Sequence, residues 1–398
     1  MKKLFIPLIA MLAFAACKKQ NDKPLPDNQK MVKMNDENGE ADVIFTPSVQ
    51  VTVSHGMYVF SDYNDYGRFL NEVQEATPAA VKLWEDNMGV RTIRTRFNDI
   101  AQAETEYDAY LSSLPENEQE SLLNGPVLHT NTYTEGLDEG IIVEHNDPEA
   151  AAWDYAVCQP GDAGALNQAG FVKVGTRIYQ YTATATKIIF DGDFDKMPLL
   201  NNYNQDFYQE GSIGVDVFSA AKTTSTLYTN FTSNVSDWHY DGNKKRSKVW
   251  VNGYSYPWAL FGTGSIASNC NQFIGCVFEI CTEAQNKNFW GKWVFNSYWP
   301  SLVVQSGVWN YNYSRYNTGG CGLSTFTSGN NLTYSSSPHP WYPTITNYNV
   351  GGTNKGFFRC VPHGVWSASY NPGYFASGFN VHYNFKFGYG GKNYVYNF

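Results

Sequence analysis

LNQAGFVKVGTRIYQY, residues 166–181, is the stretch that decides how this chain folds. It opens on a turn-forming run that ends in Gly170. A strand follows, then a two-residue return, then a second strand. Val172 and Val174 fall on one face of the first strand, as the period of two in a sheet requires. Gly175-Thr176 suits a type II′ hairpin turn, because glycine accepts positive φ at the first central position. Upstream, VQVTVSHGMYVF at 49–60 alternates Val51 and Val53 with polar neighbours and reads as a further glycine-containing strand.

Helical periodicity fills the interval between these strands. Phe69, Leu70, Val73, Ala76, Ala80, Val81 and Trp84 repeat near 3.6 residues and predict a helix over about 65–88. Pro78 kinks or divides it, and Gly89 is placed to stop it. A second helical stretch covers 100–114. A third, short one follows Pro115, since proline is tolerated in a first helical turn. Past Gly211 no helix longer than two turns is legible. Short aromatic, Thr- and Val-rich runs alternate there with Gly, Asn, Ser and Pro, the pattern of an antiparallel sandwich or barrel. The last hairpin is the clearest: His382–Tyr389 and Lys392–Phe398 flank Gly390-Gly391. A turn at those glycines sets Phe387 opposite Tyr394, Phe385 opposite Tyr396 and Tyr383 opposite Phe398. The predicted fold class is an α+β N-terminal domain, 46–205, followed by a mostly antiparallel, sandwich-like, aromatic-rich β domain, 206–398.

Charge and aromatic content change along the chain in the same sense. The formal net charge is −9, which disfavours nucleic acid as a partner. From Val249 to Phe398 the only acids are Glu279 and Glu283, against seven Lys or Arg. Eight of the eleven tryptophans lie in that same part, which supports a separate aromatic domain.

The first seventeen residues carry an address. Lys2 and Lys3 precede an apolar stretch, Leu4 to Phe14, and Ala15-Ala16 lead into Cys17. The stretch is too short to span a bilayer as a helix. Small residues just before a cysteine resemble the lipobox of bacterial lipoproteins. That resemblance implies a signal peptide over 1–16, cleavage before Cys17, and acylation of its thiol and new amino terminus. Several acyl chains on one cysteine make a stable membrane anchor, where a single chain is marginal. Residues 17–45 are charged, contain two prolines and lack apolar periodicity, so they read as a disordered tether. Such a tether spans on the order of 30 Å. The hairpin of 166–181, together with HGMYVFSDYNDYGRFLNEV at 55–73, also resembles a group of Bacteroidetes outer-membrane lipoproteins of unknown function. Those chains show a Gly-x-[Val/Leu]-x-Phe strand before a helix and a later Gly-x-Val-x-[Val/Ile]-Gly hairpin, here Gly170, Val172, Val174, Gly175, Thr176 and Ile178. The likeness covers roughly 50–190 and implies an outer-membrane location. It supplies no catalytic residue.

Six cysteines follow Cys17: Cys158, Cys270, Cys276, Cys281, Cys321 and Cys360. In an oxidising compartment they are disulfide candidates, with Cys270–Cys276 or Cys276–Cys281 as local bridges and Cys321–Cys360 as a long one. The CxxC pairs of a zinc ribbon are absent, as is HExxH. Asp191, Asp193 and Asp195 alternate as calcium ligands do, yet Lys196 and Asn202 stand where an EF-hand needs Gly and Glu. A solvated acidic turn is the favoured reading, and no cofactor is expected beyond that calcium alternative.

Trp290, Trp293, Trp299, Trp309 and Trp341 lie among Asn, Ser, Tyr and Gly. Exposed rings beside amides such as Asn310, Asn312 and Asn317 suit stacking on sugars, although large aromatics more often fill cores. Catalytic signals are thin. Gly262-Thr-Gly264-Ser265 only approaches a nucleophile elbow, and Cys360-Val-Pro-His363 is a poor Cys–His pair. Two-carboxylate glycoside hydrolysis is hard to house in a region with two acids. The sequence therefore favours a non-catalytic glycan- or protein-binding module on the cell envelope. A secreted-type hydrolase of glycan or peptide is the alternative, and a structural subunit of a surface assembly a third. Close titratable groups in a concave pocket would shift the balance toward hydrolysis.

Overall fold

A computed structural model describes residues 33–35, 41–43, 45–144, 153–203 and 207–217. Beyond these it describes 230–233, 238–256, 275–295, 301–311, 315–316, 325–326, 332–335, 348–349, 355–360, 382–389 and 392–397. The main sheet begins with a hairpin, β1 (Thr52–Ser54) and β2 (Met57–Phe60), turning through His55 and Gly56. Both turn residues have positive φ, +52° and +70°, the signs of a type I′ turn. The single strand expected over 49–60 is thus folded back on itself. Ser54 Oγ lies 2.9 Å from His55 Nδ1, and the imidazole stacks on Phe194 at 3.8 Å.

Five helices follow: α1 (Tyr63–Glu75), α2 (Pro78–Met88), α3 (Ile93–Ser113), α4 (Glu116–Leu123) and α5 (Asn131–Asp138). Pro78 divides the first apolar repeat into two helices. Thr77 caps the second of them, accepting from the Ala80 N–H, and Gly89 ends it at φ +68°. The buried Glu85 carboxylate joins α2 to α3. It accepts from the Thr92 N–H at 3.1 Å and from the Thr92 and Thr95 hydroxyls at 2.6 and 2.9 Å. Burial pushes its carboxyl up, and those donors oppose the shift.

A small ribbon, β3 (Ile142–Glu144) with β4 (Trp153–Tyr155), leads into the decisive hairpin, β5 (Phe171–Val174) and β6 (Arg177–Tyr181). Val174 pairs with Arg177 across Gly175-Thr176. Gly175 has φ +59° and Thr176 does not turn positive, the signs of the predicted type II′ turn. With β7 (Ala185–Ile189), β8 (Phe207–Glu210) and β9 (Ile213–Val217), these strands build one seven-stranded sheet ordered β8-β9-β7-β6-β5-β2-β1. All pairs are antiparallel except β2 with β5. Parallel neighbours need a long crossover, and α1 to α5 are carried on it. Strands β8 and β9 complete this sheet, so it reaches Val217 along the chain.

The helices cover one face of the sheet. Tyr58, Phe60, Val172, Val174 and Tyr179 meet Phe69, Leu70, Val73, Val81 and Trp84 in one core. The opposite face, Met57, Phe171, Ile178, Ile189 and Val215, is capped by Leu200 from the 3₁₀ segment Phe194–Asn202.

Strands make up the rest of the described chain. One sheet is ordered β10 (Asn230–Ser233), β12 (Lys245–Tyr256), β13 (Gly275–Lys287), β14 (Trp293–Phe295), with β11 (His239–Asp241) on β12 and β18 (Lys355–Cys360) on β13. The other is ordered β16 (Leu332–Ser335), β15 (Ser301–Tyr311), β19 (His382–Tyr389), β20 (Lys392–Asn397), with β17 (Tyr348–Asn349) on β15. The terminal hairpin has the register read from the sequence, Phe385 opposite Tyr396 and Phe387 opposite Tyr394. Phe398 lies outside the described residues. The chain thus joins an N-terminal α/β region to several mostly antiparallel sheets. Strand β18 runs beside α1 and the turn at Pro160–Asp162, and the buried Cys281 of β13 belongs to the helical core.

Two expectations need correction. Lys33–Asn35 pairs with Ala41–Val43 inside the stretch read as a disordered tether. That reading rested on the charged, proline-containing composition of the whole stretch, which says nothing of a short local pairing within it. A Cys276–Cys281 bridge is excluded by the backbone. Both lie on the unbroken strand β13, where five residues extend about 16 Å. A disulfide requires Cα atoms within about 7 Å.

Candidate functional site

Helix α3 points Ala101, Glu104, Thr105 and Asp108 along one face, at spacings of three and four. The start of α3 is fixed to the chain that precedes the decisive hairpin. The Ile93 N–H donates to Leu166 O at 3.0 Å, and the Arg94 N–H to Ala163 O at 3.1 Å. Phe97 is fully buried, stacked on Tyr155 at 3.9 Å and packed on Trp153 at 4.6 Å. The beginning of α3 therefore stands against an aromatic wall.

Glu104 ties α5 to this helix. Its carboxylate accepts from the Thr130 N–H and hydroxyl, each at 2.8 Å, and lies 2.7 Å from His129 Nδ1. A carboxylate only accepts, so Nδ1 is the donor of this contact. The imidazole stacks on Tyr133 at 4.0 Å, and the Tyr133 hydroxyl donates to Glu144 at 2.9 Å. Burial first, and that carboxylate second, raise the Tyr133 phenol far above its ordinary value.

The opposite wall is the turn between β13 and β14. The Asn288 N–H donates to Lys292 O, the Gly291 N–H to Asn288 O, and Asn288 Oδ1 accepts from the Lys292 N–H. Gly291 supplies φ +73°. This closed turn projects Phe289 and Trp290. The Phe289 N–H donates to Asp108 Oδ1 at 2.6 Å and docks the turn on α3. Asp108's carboxyl is raised by burial and by the Glu104 carboxylate, against the lowering effect of the Phe289 N–H.

Between the walls lies a pocket with about 40 Å³ of room, reached by Glu104, Asp108, His129, Trp153, Asn286 and Trp290. That is space for a few waters or one small polar group. The Trp290 indole N–H is buried and finds no acceptor among the described residues.

The tryptophans expected to bind ligand divide. Trp290 lines this pocket. Trp293 is 7 % exposed and packs in a ladder, with Arg246 4.3 Å above its ring and 4.0 Å above that of Trp238. It is a structural ring, because the β12 guanidinium occupies its face. Trp309 sits in β15 opposite Tyr334, and Trp299 and Trp341 lie outside the described residues. Asp191 and Asp193 hold a turn, accepting from the N–H groups of Asp193 and Asp195 at 3.2 and 3.0 Å, and both pair with Lys196. No group of three His, Cys, Asp or Glu side chains converges as a metal site would among the described residues. Cys158 is half-buried, its sulfur 3.4 Å from Thr186 Oγ1. Cys276 and Cys360 stand on β13 and β18. Cys17, Cys270, Cys321, the Gly262–Ser265 run, His363, Asn312 and Asn317 lie outside the described residues. Sequence reading missed Glu104, Asp108 and His129. The i, i+4 acids beside small Ala101 were the available signal, but nothing set them apart from the region's other acids.

The class these features define is a mixed α/β and antiparallel-sheet protein with a small aromatic and carboxylate-lined pocket. No family model matches the sequence, and the comparison with curated proteins matches none. Among solved structures, a DUF4848 family protein from Bacteroides thetaiotaomicron matches at 10% identity, covering 87% of this chain and 99% of that one, with a TM-score of 0.26. A likeness at that score carries no argument about fold or function.

Proposed function

We propose that this protein is a membrane-anchored envelope binding module that takes a polar ligand, a glycan in the first place, in the pocket between α3 and the β13–β14 turn. The observation that carries the reading is Trp290. Its ring borders the pocket, and its buried N–H lacks an acceptor beside the carboxylate of Asp108. An aromatic wall with a few placed polar groups is the usual chemistry of a ligand site. Lipidation at Cys17 and a surrounding of outer membrane remain part of the proposal, as does packing of the two C-terminal sheets as a sandwich. Replacing Cys17→Ser is expected to release the protein from the membrane fraction. A variant that stays bound, with wild type carrying no acyl mass, would end the anchoring idea.

Binding is tested by a glycan array and by tryptophan fluorescence of the full chain, with Trp290→Phe as control. That variant keeps an aromatic ring, smaller than the indole, and loses the N–H, so it is expected to weaken binding of the ligand that wild type takes. The hydrolase reading has one observation in its favour, the Glu104–His129 pair, in which a carboxylate orients an imidazole beside the pocket. Glu104 is already engaged by three donors at the start of α5, which favours an anchoring role. Reproducible cleavage of a glycan or peptide, lost in His129→Gln, would replace binding with catalysis.

A further inference from the structure

We infer that the pocket selects a ligand carrying a protonated primary amine next to a hydroxyl or ether oxygen, the pattern of an amino sugar, over a neutral sugar of the same shape. The inference rests on the reading of this pocket as a binding site. Its lining brings two carboxylates, Glu104 and Asp108, and no Lys or Arg among the described residues. Anionic groups are therefore repelled, and a cation is welcomed. The two carboxylates differ in what they have left to give. Glu104 serves His129 and Thr130. Asp108 gives one oxygen to the Phe289 N–H, and its other oxygen has no partner among the described residues. A carboxylate offers about four acceptor sites, so Asp108 retains most of its capacity.

The neighbouring surface agrees with a cation. Tyr107, Trp153 and Trp290 border the same space, and aromatic faces attract ammonium groups. Size sets the part of the ligand that enters. About 40 Å³ admits an amine and an adjoining oxygen, while the ring to which they belong stays at the mouth. The oxygen is required by Trp290, whose N–H needs an acceptor that an ammonium cannot be. The raised carboxyl of Asp108 fits a group that lacks a cationic partner until a ligand brings one.

The test titrates the full chain with glucosamine, N-acetylglucosamine, glucose and butylamine at neutral pH, read by tryptophan fluorescence and by ligand-observed NMR. Glucosamine is expected to bind about tenfold more tightly than the two uncharged sugars, the effect of one charge-assisted hydrogen bond. Asp108→Asn is expected to remove most of that preference, and Trp290→Phe to weaken glucosamine without removing it. Equal affinity for glucosamine and glucose would overturn the amine inference and leave the pocket as a binding site. Butylamine binding as tightly as glucosamine would overturn the amino-sugar assignment in favour of a plain amine. No binding of any probe would overturn the inference together with the reading on which it rests. Wild-type selectivity decides the matter even if Asp108→Asn fails to fold.

Discussion

Gly170 and Asp108 show how much single positions carry. Gly170 has φ +80°, and a Cβ there would lie 2.1 Å from the carbonyl oxygen of Tyr181. Its N–H and C=O close the loop before β5, bonding Asn167 O and the Tyr181 N–H. Neither the backbone conformation nor the space admits a side chain, so Gly170→Ala is expected to destabilise by more than about 1 kcal/mol in urea unfolding. Asp108 acts through its charge. A carboxyl whose folded pKa is raised contributes stability that is whole below its unfolded pKa, about 4. That stability is lost as pH rises through the folded value. Asp108→Asn is therefore expected to gain on wild type as pH rises from about 4 to 7. Urea midpoints of both proteins across that range measure it, and parallel curves would show that Asp108 is not perturbed.

At the scale of elements, α3 is the beam that holds the site. One end is bonded to Ala163 and Leu166, its second turn is packed on the β3–β4 ribbon, and its far half meets the β13–β14 turn. Phe97 is the rivet between helix and ribbon. Phe97→Ala is expected to cost about 3–5 kcal/mol, as buried phenylalanines do. Trp153 leans on that ring and borders the pocket, so ligand affinity is expected to fall in the same variant. Unchanged thermal stability would contradict the packing role. Helix α3 was legible from its periodicity only from residue 100 on. Its first two turns do carry an apolar repeat, Ile93, Phe97, Ile100 and Ala101, but Arg94 and Thr95, buried beside it, and the other polar or charged neighbours between mask it in the sequence.

At the scale of the molecule, the N-terminal region shares a core with the sheet that holds β13 and β18. Cys281 is buried with the helical residues, and β18 runs along α1. A fragment beginning at residue 206 would lose two partners, the sheet that β8 and β9 complete and the helices that cover Cys281. We expect the full chain to unfold in a single cooperative transition and such a fragment to lack a sharp one, followed by near-UV circular dichroism. Two separate transitions in the full chain would show that the regions are energetically independent.

Local rules by themselves determined a good deal of this protein. They placed the break at Pro78, the stop at Gly89, the turn at Gly175-Thr176 and the pairing of Phe385 with Tyr396. Each depends on the conformational limits of one or two residues and on a period of 3.6 or 2. Tertiary structure alone decided that Trp290 reaches the pocket while Trp293, three residues on, is stacked under Arg246. It alone brought Asp108 to Phe289, 181 positions later. Both facts follow from how a helix and a distant strand turn are packed together. A sequence carries no periodic trace of such packing, because the contact imposes no pattern on the residues between.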